Sequence, residues 1–330
     1  TPAAWPELGQ IDKQLKEILD ANPALATSSF ADFPNITAIR QHMSGLASLF
    51  PKPKLDGINK SQIQIPVRDG SIINALLYQP VASPSSDSPL VVLFHGGGWC
   101  LGSPEMEELK AAKLLRNHGA VVLSIDYRKA PENPFPTAIN DSWDALVWSV
   151  QNCSKFGAKP SAGFIIGGSS AGGNITAVLS HLARDNKLSP PLTGVYLHIP
   201  LTCAPEILAE RYGSEYTSWQ QMNNAPVLDA KGIEVFRQYY APDPKSELFS
   251  PLLWPSGHKG LPKTFIQISG MDPLRDDGLI YARELDNSGV QVKVNAYPGV
   301  PHGFEEAFSS IDIAVKAFKE QEIGFKWLLE

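Results

Sequence analysis

A strand, a tight Gly-x-Ser-x-Gly turn and a helix follow one another in the middle of the chain. Gly163–Ile166 reads as a short buried strand, Gly168–Gly172 forms the turn, and Ala171 begins an apolar pattern at helical spacing that continues to Arg184. A turn this tight requires glycine at its flanks, and it exposes the serine beside the N–H groups of a helix N-terminus. The sequence therefore predicts Ser170 as a nucleophile. The turn alone is a weak signal, since glycine and serine also build structural turns.

Short apolar runs alternate with helical patterns over most of the chain. The predicted strands are Gln62–Val67, Ile72–Tyr78, Leu90–Phe94, Ala120–Ile125, Gly163–Ile166, Gly194–Ile199, Thr264–Ile268 and Val290–Tyr297. The predicted helices are Glu105–His118, Thr137–Val150, Ala171–Arg184, Gly278–Ser288 and a C-terminal one that places Ile311, Val315, Phe318 and Phe325 against the sheet. This alternation indicates an α/β fold, with an eight-stranded, mostly parallel sheet that has helices on both faces and an antiparallel first pair.

Two segments do not follow this alternation. Residues 1–50 have helical spacing, with two apolar faces made of Ile11, Leu15 and Ile18 and of Ile36, Ile39, Met43 and Leu46. Residues 202–250 contain no buried-strand run but several aromatic side chains, frequent prolines and a helical pattern near Asp229–Tyr240. An insertion this long in an α/β core is usually a lid or a binding surface. We predict one domain, with a core at about 55–201 and 251–330 and a helical cap formed by 1–50 and 202–250.

The composition excludes several classes of function. The net charge is −6, 19% of the residues are charged and no charge runs occur, so no nucleic-acid partner is expected. No apolar stretch approaches the roughly 20 residues of a membrane span. The three cysteines have neither metal-site nor redox spacing, and their odd number leaves one thiol free, which favours a cytoplasmic location. The first residue is Thr1, which is compatible with a removed leader peptide.

A serine hydroxyl needs a base, and the base needs a third group that orients it. A tight turn of this kind, which carries the serine between a strand and a helix, is called a nucleophile elbow. In folds that contain it, the order along the chain is serine, acid, histidine, and each of the three residues follows the carboxyl end of a strand. Asp272 is the first carboxylate after the strand Thr264–Ile268, and His302 follows the last predicted strand. The competing carboxylates Asp276 and Asp277 are expected to begin the next helix, where the helix dipole favours them. Among the other histidines, His198 lies within a predicted strand and is expected in the core.

Three glycines follow the strand Leu90–Phe94. Gly96, Gly97 and Gly98 leave backbone N–H groups free to point into the site, and with the N–H of Ala171 they can bind a tetrahedral oxyanion. A phosphate-binding loop is the competing interpretation, but no Gly-Lys-Ser/Thr follows. His95 opens this loop and precedes the nucleophile, so we expect it to be structural.

Four motifs in this order resemble the hormone-sensitive-lipase-like group of α/β-hydrolase carboxylesterases, from about residue 60 to the C-terminus. They are His95-Gly-Gly-Gly-Trp99, Gly168-Ser-Ser-Ala-Gly172, Asp272-Pro-Leu-Arg-Asp-Asp-Gly278 and His302-Gly-Phe304. The segment Asp126–Pro136 also resembles that group, with Lys129 where the group has leucine, and is expected to brace the glycine loop. The resemblance implies the α/β-hydrolase fold, Ser170 as nucleophile, His302 as base, Asp272 as orienting acid, and Gly97, Gly98 and Ala171 as the oxyanion hole.

The resemblance implies hydrolysis of short- to medium-chain esters through an acyl-enzyme, with no cofactor or metal. Trp99, Tyr212 and Trp219 are candidates for an apolar substrate pocket, although cap core would explain them as well. A dedicated natural-product acetyl esterase or lactonase would use the same machinery. A ligand-binding receptor and a cofactor-free lyase on a hydrolase scaffold remain open, but the plant gibberellin receptors of this group lack the histidine that is present here. By analogy with the group, a homodimer is a further expectation.

Overall fold

The computed structural model describes residues 1–47, 52–81 and 87–330, so residues 48–50 of the predicted cap lie outside the described residues. In this part of the chain eight strands form one sheet in the order β1-β2-β4-β3-β5-β6-β7-β8. The strands are β1 (Ile58–Pro66), β2 (Ile72–Pro80), β3 (Leu90–Phe94), β4 (Val121–Asp126), β5 (Phe164–Ser169), β6 (Gly194–His198), β7 (Lys263–Met271) and β8 (Val292–Pro301). β2 is antiparallel to both β1 and β4, and all other pairs are parallel. The predicted fold class is confirmed.

The helices precede, connect and follow these strands. They are α1 (Lys13–Ala21), α2 (Pro23–Thr27), α3 (Ile36–Ala47), α4 (Glu108–His118), α5 (Thr137–Asn152), α6 (Ala171–Asp185), α7 (Pro205–Tyr212), α8 (Ser218–Gln221), α9 (Ala230–Tyr240), α10 (Arg275–Asn287), α11 (Phe304–Ala307) and α12 (Asp312–Leu329). Both faces of the sheet are buried: Val92 and Phe94 of β3 pack into one apolar cluster, and Val91 and Leu93 pack into another. Burial on both faces explains why the parallel strands read as continuous apolar runs.

The last two strands end later than the sequence predicts. β7 continues to Met271 and β8 to Pro301, so Asp272 and His302 follow their strands directly. Glycine and proline near these ends read as loop residues, but a bulge between Ser269 and Met271 lets the pairing continue. The strand ends thereby bring the acid and the histidine to the same edge of the sheet as the nucleophile turn.

The C-terminal helix packs on the sheet as predicted, with Ile311 and Phe325 buried, but the prediction for Val315 was wrong. Val315 is 42% exposed, whereas Ala314 and Ala317 are buried. The contact uses small residues, which an apolar-periodicity reading underweights. In the N-terminal segment the helical prediction is confirmed, but the faces differ in part, since Ile11 and Leu46 are exposed.

The N-terminal segment and residues 202–250 contact each other. Ser29 donates a hydrogen bond to Asp229 at 2.8 Å, and the rings of Phe30 and Phe236 lie 5.0 Å apart. The predicted helix near Asp229–Tyr240 is confirmed as α9. Across the described ranges, no helix combines the length and the apolar character that crossing a bilayer demands.

Candidate active site

Ser170 occupies the turn between β5 and α6. Its backbone lies at φ 56° and ψ −118°, a left-handed conformation that is strained for a residue with a side chain. The N–H of Ser170 donates to the carbonyl of His198 at 2.8 Å, which fixes this turn against β6. A Cβ at Gly172 would collide with the carbonyl oxygen of Phe94, so only glycine allows α6 to approach β3 this closely.

The structure brings Ser170, His302 and Asp272 together. His302 Nε2 lies 2.9 Å from Ser170 Oγ, and His302 Nδ1 lies 2.6 Å from Asp272 Oδ2. Asp272 is 1% exposed, and its other oxygen accepts the N–H of Leu274 at 2.9 Å. This pattern fits an imidazole that donates Nδ1–H to the carboxylate and accepts the serine proton on Nε2.

The glycine loop lies beside this group. Gly97 has a φ of 117°, in the region that favours glycine, and its carbonyl accepts the N–H groups of Cys100 and Leu101. Among the hydrogen bonds of the described residues, none is donated by the backbone N–H of Gly97, Gly98 or Ala171. Ala171 is the first residue of α6, where a backbone N–H has no partner within the helix. These three donors are available to a developing oxyanion.

The comparisons with known proteins agree with this geometry. The family model described as the alpha/beta hydrolase fold matches residues 91–306. The chain belongs to this family. An AB hydrolase superfamily protein of Schizosaccharomyces pombe is 38% identical over 320 residues, which cover 97% of this chain and 94% of that protein. Carboxylesterase NlhH of Mycobacterium tuberculosis is 35% identical over 307 residues, covering 89% of this chain and 88% of that protein.

A solved structure shows the same likeness. The crystal structure of vibralactone cyclase matches with a TM-score of 0.87 and 34% identity, covering 98% of this chain and 96% of that chain. The resemblance to α/β-hydrolase esterases seen in the sequence is therefore confirmed.

Segment 126–136 of this hydrolase braces the glycine loop, as predicted. Tyr127 donates its hydroxyl proton to the carbonyl of His95 at 2.8 Å, and the N–H of Ala130 donates to the carbonyl of Trp99 at 3.0 Å. The Arg40 side chain adds a donor to the carbonyl of Cys100 at 3.1 Å. The sequence carried no signal for Arg40, because it lies 60 positions away on α3.

His95 has the contacts of a structural residue. Its ring is fully buried and stacks on Tyr127 with a centroid distance of 4.3 Å. Burial lowers the pKa of His95 to about 3, so the ring stays neutral. It is bonded to the loop backbone through Gly96 rather than to Ser170.

The two competing carboxylates lie in the first turn of α10, as predicted. Asp276 is fully buried; it forms an ion pair with Arg275 at 2.8 Å and accepts the N–H groups of Thr217 and Ser218. Burial raises the pKa of Asp277 well above its usual range. Asp276 therefore ties the segment before α8 to the loop that carries Asp272.

The three predicted pocket residues have different surroundings. Trp99 follows the glycine loop and is 2% exposed, with its indole stacked on Tyr240 at 4.6 Å. Tyr212 lies at the end of α7 with the Arg283 guanidinium 5.6 Å from its ring centre. Trp219 is half-buried in α8, next to the contacts with Asp276. The structure thus brings Trp99 to the glycine loop, while Tyr212 packs in a charged cluster with Arg283.

Sequence reasoning missed a second hydrogen-bonded chain behind the nucleophile. His198 is buried in β6, as predicted, but it is also bonded on both ring nitrogens. Its Nδ1 lies 3.1 Å from Ser169 Oγ, and its Nε2 lies 3.0 Å from Glu305 Oε1. No sequence motif predicts these hydrogen bonds, because the three residues come from β5, β6 and the segment after β8.

Proposed function

We propose that this protein is a serine carboxylesterase. The observation that carries the proposal is the hydrogen-bonded chain from Ser170 through His302 to Asp272, with distances of 2.9 and 2.6 Å. It lies beside the N–H groups of Gly97, Gly98 and Ala171. Membership of the α/β-hydrolase family and the likeness to carboxylesterase NlhH support the same activity.

The geometry supports the following mechanism. Ser170 Oγ attacks the ester carbonyl while His302 Nε2 accepts its proton, and Asp272 stabilises the imidazolium that forms. The carbonyl oxygen becomes an oxyanion, which accepts hydrogen bonds from the loop and from Ala171. His302 then protonates the departing alcohol, and water hydrolyses the acyl-enzyme by the same steps. All groups come from the chain, so the reaction requires no metal or cofactor.

We further propose that residues 1–50 and 202–250 act as a cap that selects the substrate. Two observations support this role. The two segments contact each other, and Thr217 and Ser218 donate hydrogen bonds to Asp276, which attaches the cap to the segment that carries Asp272. An apolar lining that includes Trp99 and Trp219 would favour short- to medium-chain acyl esters. Tyr212 is the weakest of the three candidates, because Arg283 already packs on its ring.

The test is pre-steady-state hydrolysis of p-nitrophenyl esters from acetyl to dodecanoyl. We expect a burst of one equivalent followed by slower turnover, fastest at acetyl or butyryl. A burst that is largest for dodecanoyl would contradict the chain-length assignment. Binding of esters without a burst at any length would contradict the esterase and favour a receptor, whereas activity that survives Ser170→Ala would favour a lyase.

A second candidate is acyl transfer within one substrate. The likeness to vibralactone cyclase favours it, since a hydroxyl group on the bound acyl chain can replace water and release a lactone. A natural-product acetyl esterase or lactonase would use the same residues. Incubation with p-nitrophenyl esters of hydroxy acids distinguishes the products, because hydrolysis gives the free acid and cyclisation gives the lactone.

We also propose a cytoplasmic homodimer. The free state of Cys100, Cys153 and Cys203 supports a reducing compartment. β8 is an edge strand that exposes Val294, and an exposed edge can pair with a second copy. Light scattering after gel filtration tests the dimer, and a monomer at micromolar concentration would contradict it.

A further inference from the structure

The chain from Ser169 through His198 to Glu305 lies directly behind the proposed nucleophile. Ser169 is the last residue of β5, and its side chain points to the sheet face covered by α4, where Lys110 Nζ lies 3.3 Å from its Oγ. Ser170 follows it in the turn and faces His302. Two adjacent serines therefore begin two different Ser–His–carboxylate chains.

One tautomer of His198 satisfies every bond in this second chain. The Lys110 ammonium can only donate, so Ser169 Oγ accepts from it and remains free to donate its own proton to His198 Nδ1. His198 Nε2–H then donates to Glu305 Oε1. Because Lys110 occupies a lone pair of the Ser169 oxygen, and because Ser169 lies in a regular strand, this serine is not arranged as a second nucleophile.

His198 connects the two loops that carry Ser170 and His302. Its carbonyl accepts the N–H of Ser170 at 2.8 Å, and its ring holds the hydroxyl of Ser169. On the other side its ring holds Glu305, which lies three positions after His302 in the short helix α11. The separation of these loops sets the 2.9 Å bond between Ser170 Oγ and His302 Nε2.

Fold stability alone does not explain the carboxylate at position 305. Glu305 is 4% exposed, and its Oε2 has no hydrogen-bond partner among the described residues. A buried, half-satisfied carboxylate is costly, and an apolar side chain of similar size would pack there at lower free energy. Within the described part of the chain, the one hydrogen bond that the Glu305 side chain forms is the bond to His198, so a role for the carboxylate depends on that bond.

We propose that His198 and Glu305 are positioning residues, whose hydrogen bond keeps the nucleophile turn and the His302 loop at reacting distance. This inference rests on the proposed esterase function, because it concerns the same serine. Small displacements of reacting groups can cost about 10²-fold in rate, so loss of this bond affects the acylation step. Binding of the ester is affected much less, because the side chains of both residues are bonded to Ser169 and to each other rather than to a predicted pocket residue.

The test compares Glu305→Ala with Glu306→Ala, a matched control on the next residue of the same short helix, whose carboxylate forms no hydrogen bond with His198 in the described part of the chain. Two rates are measured: labelling of Ser170 by a fluorophosphonate and the acylation burst with p-nitrophenyl acetate. We expect Glu305→Ala to slow both rates by about 10- to 100-fold with KM changed less than about threefold.

Two further variants control for this result. Both rates of Glu306→Ala are expected to stay within about twofold of those of the original protein. Glu305→Gln restores most of the loss, to within about fivefold, because its amide oxygen still accepts from His198.

Non-additivity gives a second readout. The double variant His198→Ala with Glu305→Ala is expected to be no slower than the slower single variant, since both remove one bond. If Glu305→Ala does not fold, Ser169→Ala removes only a hydroxyl group and is expected to slow labelling about three- to tenfold.

Three results would overturn the proposal. They are labelling of folded Glu305→Ala or Ser169→Ala at the original rate, an equal loss in Glu306→Ala, and a Glu305→Gln variant as slow as Glu305→Ala. Absence of ester turnover in the original protein contradicts the proposed function alone, because fluorophosphonate labelling still reports the Ser170–His302 geometry.

Discussion

Two hydrogen-bonded Ser–His–carboxylate chains lie next to each other in this hydrolase, and we propose that only one of them acts in catalysis. Ser170 is in a strained turn at φ 56°, and the backbone N–H groups of Gly97, Gly98 and Ala171 donate no hydrogen bond within the described residues. Ser169 ends a regular strand and accepts a hydrogen bond from Lys110. Each chain consists of a serine, a histidine and a carboxylate, Asp272 in the first and Glu305 in the second. The hydrogen-bond distances are similar, 2.9 Å for Ser170–His302 and 3.1 Å for Ser169–His198.

The difference shows what makes a serine reactive in this fold. The elbow removes Ser170 from the sheet and places it at the N-terminus of α6, where the N–H groups stabilise negative charge. Ser169 remains in the interior strand β5, beside the Lys110 ammonium group, whose hydrogen bond reduces its nucleophilicity. A search for Ser–His–acid geometry alone would therefore find two sites and misassign one.

The largest expected effect separates the two serines. Ser170→Ala should lower kcat by at least about 10⁴-fold, because it removes the nucleophile, while the unfolding temperature changes little. Ser169→Ala should lower it only three- to tenfold. Equal losses in the two variants, measured with p-nitrophenyl acetate, would mean that the hydrogen-bonded chains are not functionally distinct.

The next prediction compares two carboxylates that are four positions apart. Asp272→Asn should lower kcat by about 10⁴-fold, as the corresponding change does in serine proteases, because His302 loses the partner that fixes its tautomer. Asp276→Ala should instead lower the free energy of unfolding by about 3–5 kcal/mol, since it leaves Arg275 buried and unpaired. Kinetics and urea unfolding of both variants check the assignment. Reversed effects would make Asp276 the orienting acid.

A smaller effect is expected from the glycine loop. A Cβ at Gly97 would lie 2.6 Å from the carbonyl oxygen of Leu101, and φ 117° disfavours alanine. Gly97→Ala should therefore displace one oxyanion donor and cost about 10²–10³-fold in kcat. The KM for short esters should change little, because the donor acts on the transition state. Gly119→Ala, at an exposed helix end with open space around it, is the control for a positive-φ glycine away from the site.

The sequence carried enough information to predict the sheet, the nucleophile turn, and the hydrogen-bonded residues Ser170, His302 and Asp272. These features depend on local patterns: apolar runs, glycine spacing, and the rule that the acid and the histidine follow the ends of strands. Asp272 was separated from Asp276 and Asp277 by the same local logic, since the two competitors begin α10.

Features that depend on contacts between distant segments were not predictable. The second chain joins Ser169 to Glu305, and Arg40 reaches the glycine loop from α3. Val315 of α12 was predicted incorrectly for a related reason, because Ala314 and Ala317 are buried there instead. Periodicity reports which residues are apolar, but the shape of the partner surface decides which residues are buried.

The smallest effect concerns a histidine that has an imidazole, not a carboxylate, as its partner. His181 Nε2 lies 3.0 Å from His258 Nδ1, and burial lowers the pKa of His181 to about 3. Between pH 6.5 and about 3 the unfolded chain binds a proton at this position and the folded chain does not. The free energy of unfolding therefore decreases as the pH is lowered through this range, by at most about 1.4 kcal/mol per pH unit from this group.

His181→Gln removes this titration and should make the acid decline shallower, with a difference of about 2 kcal/mol between pH 7 and pH 4.5. The comparison is urea unfolding at a series of pH values, with exposed His42→Gln as the control. Parallel pH profiles of His181→Gln and the original protein would contradict the prediction, because they would mean that the folded chain binds a proton at His181 as readily as the unfolded chain does.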